Sequence, residues 1–437
     1  MARHLRIAVA IALQDAGEVT RALELTSGLR ECHPPGWSVD FTFLTHGSRF
    51  EPLVRQAGHD LMPCDPRCEG RSVTHDLQWD PPQVVGSVAV ARDLISGERA
   101  ALAELRPDAV LHGFWPFANL ASRMLGIPVM AFLPIPLHPT SMAHGLFRDL
   151  PEHVPVLARL PRPVRRAIVT AIPPGVKRRF STQPRIGQAA AECGWSGQPP
   201  QAIFEMLAAG VTVINDLPEF YTDCRISPSM AVTGAVYAPE RGSRPLSPEI
   251  RAVLDPSRDV PTVFCTMGSS GTRDALLTAA KAVAGNPSDR WNAVILAAPA
   301  VCPLAEVNAC VVQRAGVVVT DAFVPAATVN RLADVVVSHG GQGTVQTAMA
   351  SATPIVGVAM QAEQQINLDH VAERGAGIRV PARQWRVPVI REAIHTVLRE
   401  PSYRLRAAEL AATIRSHDGR QTAAEHLWRF LQTELAG

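Results

Sequence analysis

Residues Val335 to Pro354 read VVVSHGGQGTVQTAMASATP, and the change of period inside this stretch decides the fold. Val335, Val336 and Val337 form an unbroken β-branched run, the pattern of a strand covered on both faces. Gly340, Gly341 and Gly343 follow and permit close backbone approach. Val345, Ala348, Met349 and Ala352 then recur at helical spacing. A buried strand that turns through glycines into a helix leaves backbone N–H groups and the positive helix pole at the strand's carboxyl end, an anion site suited to a pyrophosphate. His339 can add a side-chain donor there, and Gln342 and Thr344 lie in the same turn. Taken alone, the segment also admits a plain strand-to-helix turn that binds nothing.

The same unit repeats outward. Ile355 to Ala359 reads as the next buried strand, and the polar run Met360 to Asn367 follows it on the same edge. There Glu363 can accept, and Gln364 both donate and accept, hydrogen bonds from sugar hydroxyls. Thr262 to Met267, Asn292 to Ala297, Val317 to Thr320 and Ile378 to Val380 are also strand-like, with helices between them. The first half shows the same alternation: Arg6 to Leu13, Val39 to Leu44, Asp108 to His112, Ile127 to Leu133, Val211 to Asn215 and Met230 to Thr233 are apolar runs separated by amphipathic ones. Strand-helix alternation implies parallel sheets covered on both faces. Residues 134–200 differ, being rich in Pro, Arg and His, and read as loops and helices. The proline-dense, charged stretch from Ala238 to Val260 holds the linker. The expected architecture is therefore α/β with an N-terminal domain over 1–238 and a C-terminal domain over 239–437, the last helix able to pack back on the first domain. Ligands of such sheets bind at the carboxyl ends of the strands.

Composition restricts the function. The 437 residues exceed one ordinary core and suit two domains. With 42 basic and 40 acidic side chains the net charge is +2, so no global field attracts nucleic acid or an anionic membrane. The eight cysteines contain no CxxC pair, which argues against a structural zinc and against a disulfide scaffold. The apolar start MARHLRIAVAIALQD reads as a first buried strand rather than a signal peptide, and no apolar run reaches the roughly 20 residues that span a bilayer. A cytoplasmic protein is expected. The lack of GxGxxG after the first strand excludes a nicotinamide dehydrogenase of the usual kind.

The motif SHGGQGT, with Glu363-Gln364 and then Asn367 downstream, resembles the donor signature of the family 1 glycosyltransferases of GT-B fold, a group of bacterial natural-product and plant small-molecule enzymes. The resemblance extends with lower specificity to Leu125-Gly126-Ile127-Pro128 and the Asn215 to Pro218 stretch. It implies two Rossmann-like domains facing each other across a cleft, the first binding acceptor and the second a nucleotide sugar. It further implies a phosphate-side loop at Gly268 and Ser269, nucleobase packing by Phe323 and Val324, and donor contacts from His339, Gly341, Gln342, Gly343, Thr344, Glu363 and Gln364. The implied reaction is inverting transfer from a UDP- or dTDP-sugar to a small-molecule hydroxyl, with no cofactor and no metal. Expected partners are that donor and acceptor, with no nucleic acid and no stable membrane insertion; a homodimer is compatible with the sequence. Thr347 stands where many relatives carry a ribose-gripping glutamate, which leaves UDP and dTDP both open.

The family's catalytic histidine, in a Gly-His pair after the first strand, is replaced here by Gly17-Glu18. The base is therefore sought among Asp15, Glu18 and His112, one arrangement being a reversed dyad in which a carboxylate orients His112. Phe114, Trp115 and Phe117 are candidates for an apolar acceptor wall, with His138 in the segment beside it. The basic run Arg159, Arg162, Arg165, Arg166, Lys177, Arg178 and Arg179 reads as a solvated face. Two other functions fit the same pattern: a catalytically silent transferase-like accessory or binding protein, and a nucleotide-sugar epimerase.

Overall fold

A computed structural model describes residues 3–150, 160–179, 181–237, 245–255, 257, 259–285, 289–322 and 324–435. The chain divides into two compact units. The first comprises Met1–Phe147, Thr170–Val236 and Asp418–Gly437; the second comprises Arg148–Val169 and Tyr237–His417.

The first unit is built on seven strands: β1 (Arg3–Ala10), β2 (Trp37–Thr45), β3 (Asp60–Pro63), β4 (Ala109–His112), β5 (Val129–Leu133), β6 (Val211–Ile214) and β7 (Met230–Val232). They form one sheet in the order β3-β2-β1-β4-β5-β6-β7, every pairing parallel. β4 and the second half of β1, Ile7 to Ala10, lie at its centre and are wholly buried, which matches their unbroken apolar runs. Two elements escaped the sequence pattern. β3 is a short edge strand in which only part of the residues are covered. The helix Val88–Leu105 is capped by the Ser87 side chain but carries Gly97 in its middle, a residue disfavoured there. Gly97 is required because the Asp65 carbonyl presses against the helix at that point, where a Cβ would collide.

The second unit has six strands: β8 (Thr262–Thr266), β9 (Asn292–Leu296), β10 (Val317–Thr320), β11 (Val335–Ser338), β12 (Ile355–Gly357) and β13 (Gly377–Arg379). Their order is β10-β9-β8-β11-β12-β13, again all parallel. In both sheets the strand order reverses beside the first strand, between β1 and β4 and between β8 and β11. Such reversals leave a crevice at the strands' carboxyl ends.

One segment departs from the domain boundary drawn from sequence. Residues 148–169 cluster with the second unit rather than the first. Asp149, nearly inaccessible, receives Arg165 Nε at 2.7 Å and Nη2 at 2.6 Å, and Arg379 Nη2 at 2.6 Å. Arg379 Nε also donates to Asp369 at 2.8 Å, and Gln365 Nε2 donates to the Leu150 carbonyl at 3.0 Å. Buried carboxylates and guanidiniums tolerate each other's desolvation only as a set, so this segment goes where its partners are. The basic run divides: Arg166, Arg178 and Arg179 are exposed, as a solvated face requires, Arg162 and Arg166 reach Asp369 and Glu373, and Lys177 is instead buried with its Nζ 3.3 Å from the Ala143 carbonyl. Arg159 lies outside the described residues.

The final helix, Gly419–Leu435, belongs to the first unit. Trp428 is buried, donates Nε1–H to the Leu29 carbonyl at 2.9 Å and meets the Trp37 ring edge-on at 6.1 Å between centroids. Arg420 pairs with Glu31 at 2.7 Å. None of the eight cysteines is in a disulfide. Among the described residues no helix is long and apolar enough to cross a membrane.

Candidate functional site

In the second unit, β8 and β11 are neighbours with Thr266 opposite Ser338, and β12 places Gly357 on the other side of Ser338. The loops after these strands therefore emerge together at the crevice. After β11 the chain turns at Gly340, with φ +80°, because a Cβ there would lie 2.6 Å from Leu368 Cγ and 2.9 Å from the Gln364 carbonyl. Gly341 then starts the helix Gln342–Ala350 and offers no capping side chain. The first helical bond runs from Val345 N–H to the Gly341 carbonyl at 3.0 Å. The amides of Gln342, Gly343 and Thr344 thus form the helix's positive end, with no carboxylate or hydroxyl cap from Gly341.

His339 is 3% exposed and fixed by its surroundings. A Cβ on Gly268 would lie 2.5 Å from its Cε1, and one on Gly341 would lie 2.5 Å from its Nε2. Two glycines from different loops thus approach the Cε1–Nε2 edge of the imidazole. Ser270 Oγ lies 3.2 Å from Nε2; this contact, one loop residue beyond the predicted Gly268-Ser269 pair, was not foreseen. Gly268 itself has φ +56° and donates its N–H to Thr266 Oγ1 at 3.2 Å.

Glu363 and Gln364 open the helix Ala362–Glu373. Asn367 Nδ2 donates to Glu363 Oε1 at 2.5 Å and to the Gly340 carbonyl at 3.0 Å, tying this helix to the glycine turn. Glu363 is half-buried at the surface of the site, whereas Gln364 is 1% exposed and accepts Met360 N–H on Oε1 at 2.9 Å. Gln364 therefore shapes the loop. Thr347 turns its hydroxyl back to the Gly343 carbonyl at 2.6 Å. Val324 is buried ahead of the helix Ala326–Leu332, and Phe323 lies outside the described residues.

In the first unit, Asp15 caps the helix Ala16–Glu31, its carboxylate accepting Gly17 N–H at 2.7 Å. Glu18, one turn in, is 4% exposed; it binds Arg21 Nη2 at 2.7 Å through Oε1 and accepts Phe114 N–H at 3.1 Å through Oε2. Burial raises the Glu18 pKa, with Arg21 opposing. Gly113 must be glycine here, since its Cβ would collide with Glu18 Oε2.

The reversed dyad is not formed. His112 is fully buried, and its Nδ1 donates to the Gly113 carbonyl at 2.6 Å, which leaves Nε2 to accept Asn119 Nδ2–H at 2.8 Å. Both ring nitrogens are used within the fold, and burial pushes the imidazole pKa down to about 4. The acceptor wall also needs correction. Trp115 and Phe117 are 3% and 0% exposed and belong to the core beneath the sheet, in edge-on contact at 4.9 Å. The helix Pro116–Met124 turns them inward; only Phe114 remains half-buried, beside Leu133, Ile203 and Ile214. His138 caps the short helix Pro139–Ala143, its Nδ1 accepting Thr140 N–H at 3.2 Å, and burial lowers its pKa.

Residues 304–428 match the family model described as erythromycin biosynthesis protein CIII-like, C-terminal domain. That span contains the glycine turn and the Glu363 helix. A rhamnosyltransferase of PGL/p-HBAD biosynthesis from Mycobacterium bovis is 25% identical over 328 residues, covering 73% of this chain and 66% of the relative, just under two thirds of its length. Among solved structures, the glycotransferase of kitacinnamycin superposes with a TM-score of 0.64 at 20% identity, covering 98% of this chain and 99% of the other. The spinosyn rhamnosyltransferase SpnG, complexed with thymidine diphosphate, gives 0.60 at 16% identity, covering 99% and 100%.

Proposed function

We propose that this chain, which belongs with the GT-B glycosyltransferases of natural-product type, moves a sugar from a nucleoside-diphosphate donor to a hydroxyl of a small natural product, inverting the anomeric carbon and using no metal. One observation carries the reading: the imidazole of His339 lies against Gly268 and Gly341 at the start of a helix whose N-cap glycine offers no side chain, where two loops leave the strand-order reversal of the second sheet. Backbone amides and the helix pole stabilise a diphosphate as it leaves, and an imidazole beside them can add a donor. The thymidine diphosphate in the SpnG complex supports a dTDP-sugar as donor over UDP. Glu363, steadied by Asn367, is placed to accept hydrogen bonds from the sugar hydroxyls.

Of the three base candidates, Glu18 is the one we assign. His112 has no lone pair to offer, and Asp15 is engaged as a helix cap. The raised pKa makes the ionised Glu18 a stronger base toward an acceptor hydroxyl, and Arg21 keeps an ionised fraction available. The engagement of both Glu18 oxygens is also what favours the second reading, a donor-binding protein without turnover.

Calorimetric titration with TDP and UDP, on the wild type and on His339→Ala, tests the site. Turnover with a panel of dTDP- and UDP-sugars then tests the reaction. Failure to bind either nucleotide overturns both readings, whereas binding without turnover across the panel leaves only the second.

A further inference from the structure

The first unit brings together three further side chains that sequence spacing does not connect. His46 follows β2, Cys64 follows β3, and Glu98 faces inward from the helix Val88–Leu105. All three are buried, and one potential ligand atom from each lies within 4.8 Å of the others.

Hydrogen bonding leaves this cluster incomplete. His46 Nδ1 lies 3.0 Å from the Pro66 carbonyl, which can only accept, so Nδ1 carries a hydrogen. Nε2 points at Glu98 Oε1, 3.1 Å away, and Oε1 already accepts Trp115 Nε1–H at 2.8 Å. Glu98 Oε2 is buried with no hydrogen-bond partner, on a residue 1% exposed. The Cys64 thiol lies 3.7 Å from the Met62 carbonyl, a long and weak contact. An orphaned carboxylate oxygen, a thiol and an imidazole nitrogen therefore converge with too few donors among them.

We propose that His46 Nε2, Cys64 Sγ and Glu98 bind one thiophilic divalent ion, best matched by Zn2+. Imidazole, thiolate and carboxylate are its usual donors, three protein ligands leave a fourth position for water, and two anionic ligands with one neutral ligand balance the +2 charge in a buried site. The Pro66 carbonyl accepts from Nδ1 and orients the imidazole from behind, as carbonyl acceptors commonly do for metal-bound histidines. On binding, the thiol proton and any proton on Nε2 pass to solvent, and no redox change occurs. The ion ties together the segments after β2 and β3 and the helix Val88–Leu105. The absence of CxxC spacing concealed the site, since its ligands come from three separate elements.

The test uses the full chain after chelator treatment. One equivalent of Co2+ should give a thiolate-to-cobalt charge-transfer band and quench Trp115, whose ring is 5.9 Å from His46. Zn2+ should displace the colour at one ion per chain, release protons and raise the melting temperature. Cys64→Ser should lose the band, and Glu98→Gln should weaken Zn2+ binding by at least the roughly tenfold that outer-shell changes produce. Absence of the band and of Zn2+-dependent proton release in the wild type overturns the proposal, even if the variants fail to fold. A band that persists in a folded Cys64→Ser overturns it too, by assigning the ion to another cysteine.

Discussion

Gly268 and His339 are in contact across two loops: a single methyl group on Gly268 would occupy space 2.5 Å from the imidazole Cε1. A methyl group on Gly341 would likewise lie 2.5 Å from Nε2 of the same ring.

Gly268→Ala or Gly341→Ala should therefore displace His339 and weaken TDP binding by about tenfold or more, a loss of about 1.4 kcal/mol. Gly268→Ala should also lower stability, because φ +56° disfavours a side chain. At Gly343 no atom of the chain lies within 4 Å of an added Cβ, and the residue stands in the first turn of a helix. Gly343→Ala should stabilise the second unit by ~0.5–1 kcal/mol, read as a higher denaturation midpoint. Unchanged nucleotide affinity in Gly341→Ala, measured by calorimetry, would remove this contact from the binding argument.

Glu18→Gln should keep nucleotide affinity, because Glu18 belongs to the first unit, while lowering kcat by about 100-fold or more. Burial raises the Glu18 pKa, so the base protonates, and the rate falls, as pH drops through a value above the ordinary carboxylate range. Arg21 opposes that rise, so Arg21→Met should move this acidic limb to higher pH. A pH profile of kcat/KM that is identical in wild type and Arg21→Met would contradict the assignment.

His112 should make the fold acid-sensitive. Its pKa is about 4 in the folded chain against 6.5 when exposed, with burial the largest cause. The unfolded chain takes up the proton first, so the neutral ring's contribution is complete above pH 6.5 and lost as pH falls toward 4, by about 3 kcal/mol. His59, also near 4, adds to the loss in the same direction. Urea midpoints at pH 7 and pH 4.5 should diverge less in His112→Gln than in the wild type; equal divergence would count against this account.

Arg379→Met should destabilise the second unit by about 3–5 kcal/mol, since it leaves Asp149 and Asp369 with one cation fewer in a buried network. Burial raises the Asp369 pKa to about 7, whereas at Asp149 the two arginines outweigh burial and hold the pKa below the ordinary carboxylate range. Adding Asp149→Asn should recover part of the loss. A melting temperature equal to that of the wild type would show that the pairings contribute nothing net.

What the sequence could show was local. Strand, glycine turn and helix start fall within Val335 to Ala350, and their periods and φ requirements are properties of neighbouring residues, so the two parallel sheets and the His339 turn were legible. The Glu363 helix was legible for the same reason, although Gln364 turned out to serve the loop. The aromatic run after β4 was misread because its side chains are assigned to core or crevice by the direction of the helix Pro116–Met124, which only packing sets.

By itself, then, the sequence determined the alternation of strands and helices, the anion-binding turn and the lack of a Gly-His pair. Tertiary structure alone decided that Asp149 pairs with Arg379, 230 positions later, that His112 spends both nitrogens inside the fold, and that His46, Cys64 and Glu98 share one buried space. The physical reason is that the cost of burying a charge or polar group depends on which partners reach it, and those partners come from elements whose separation along the chain carries no periodic signal.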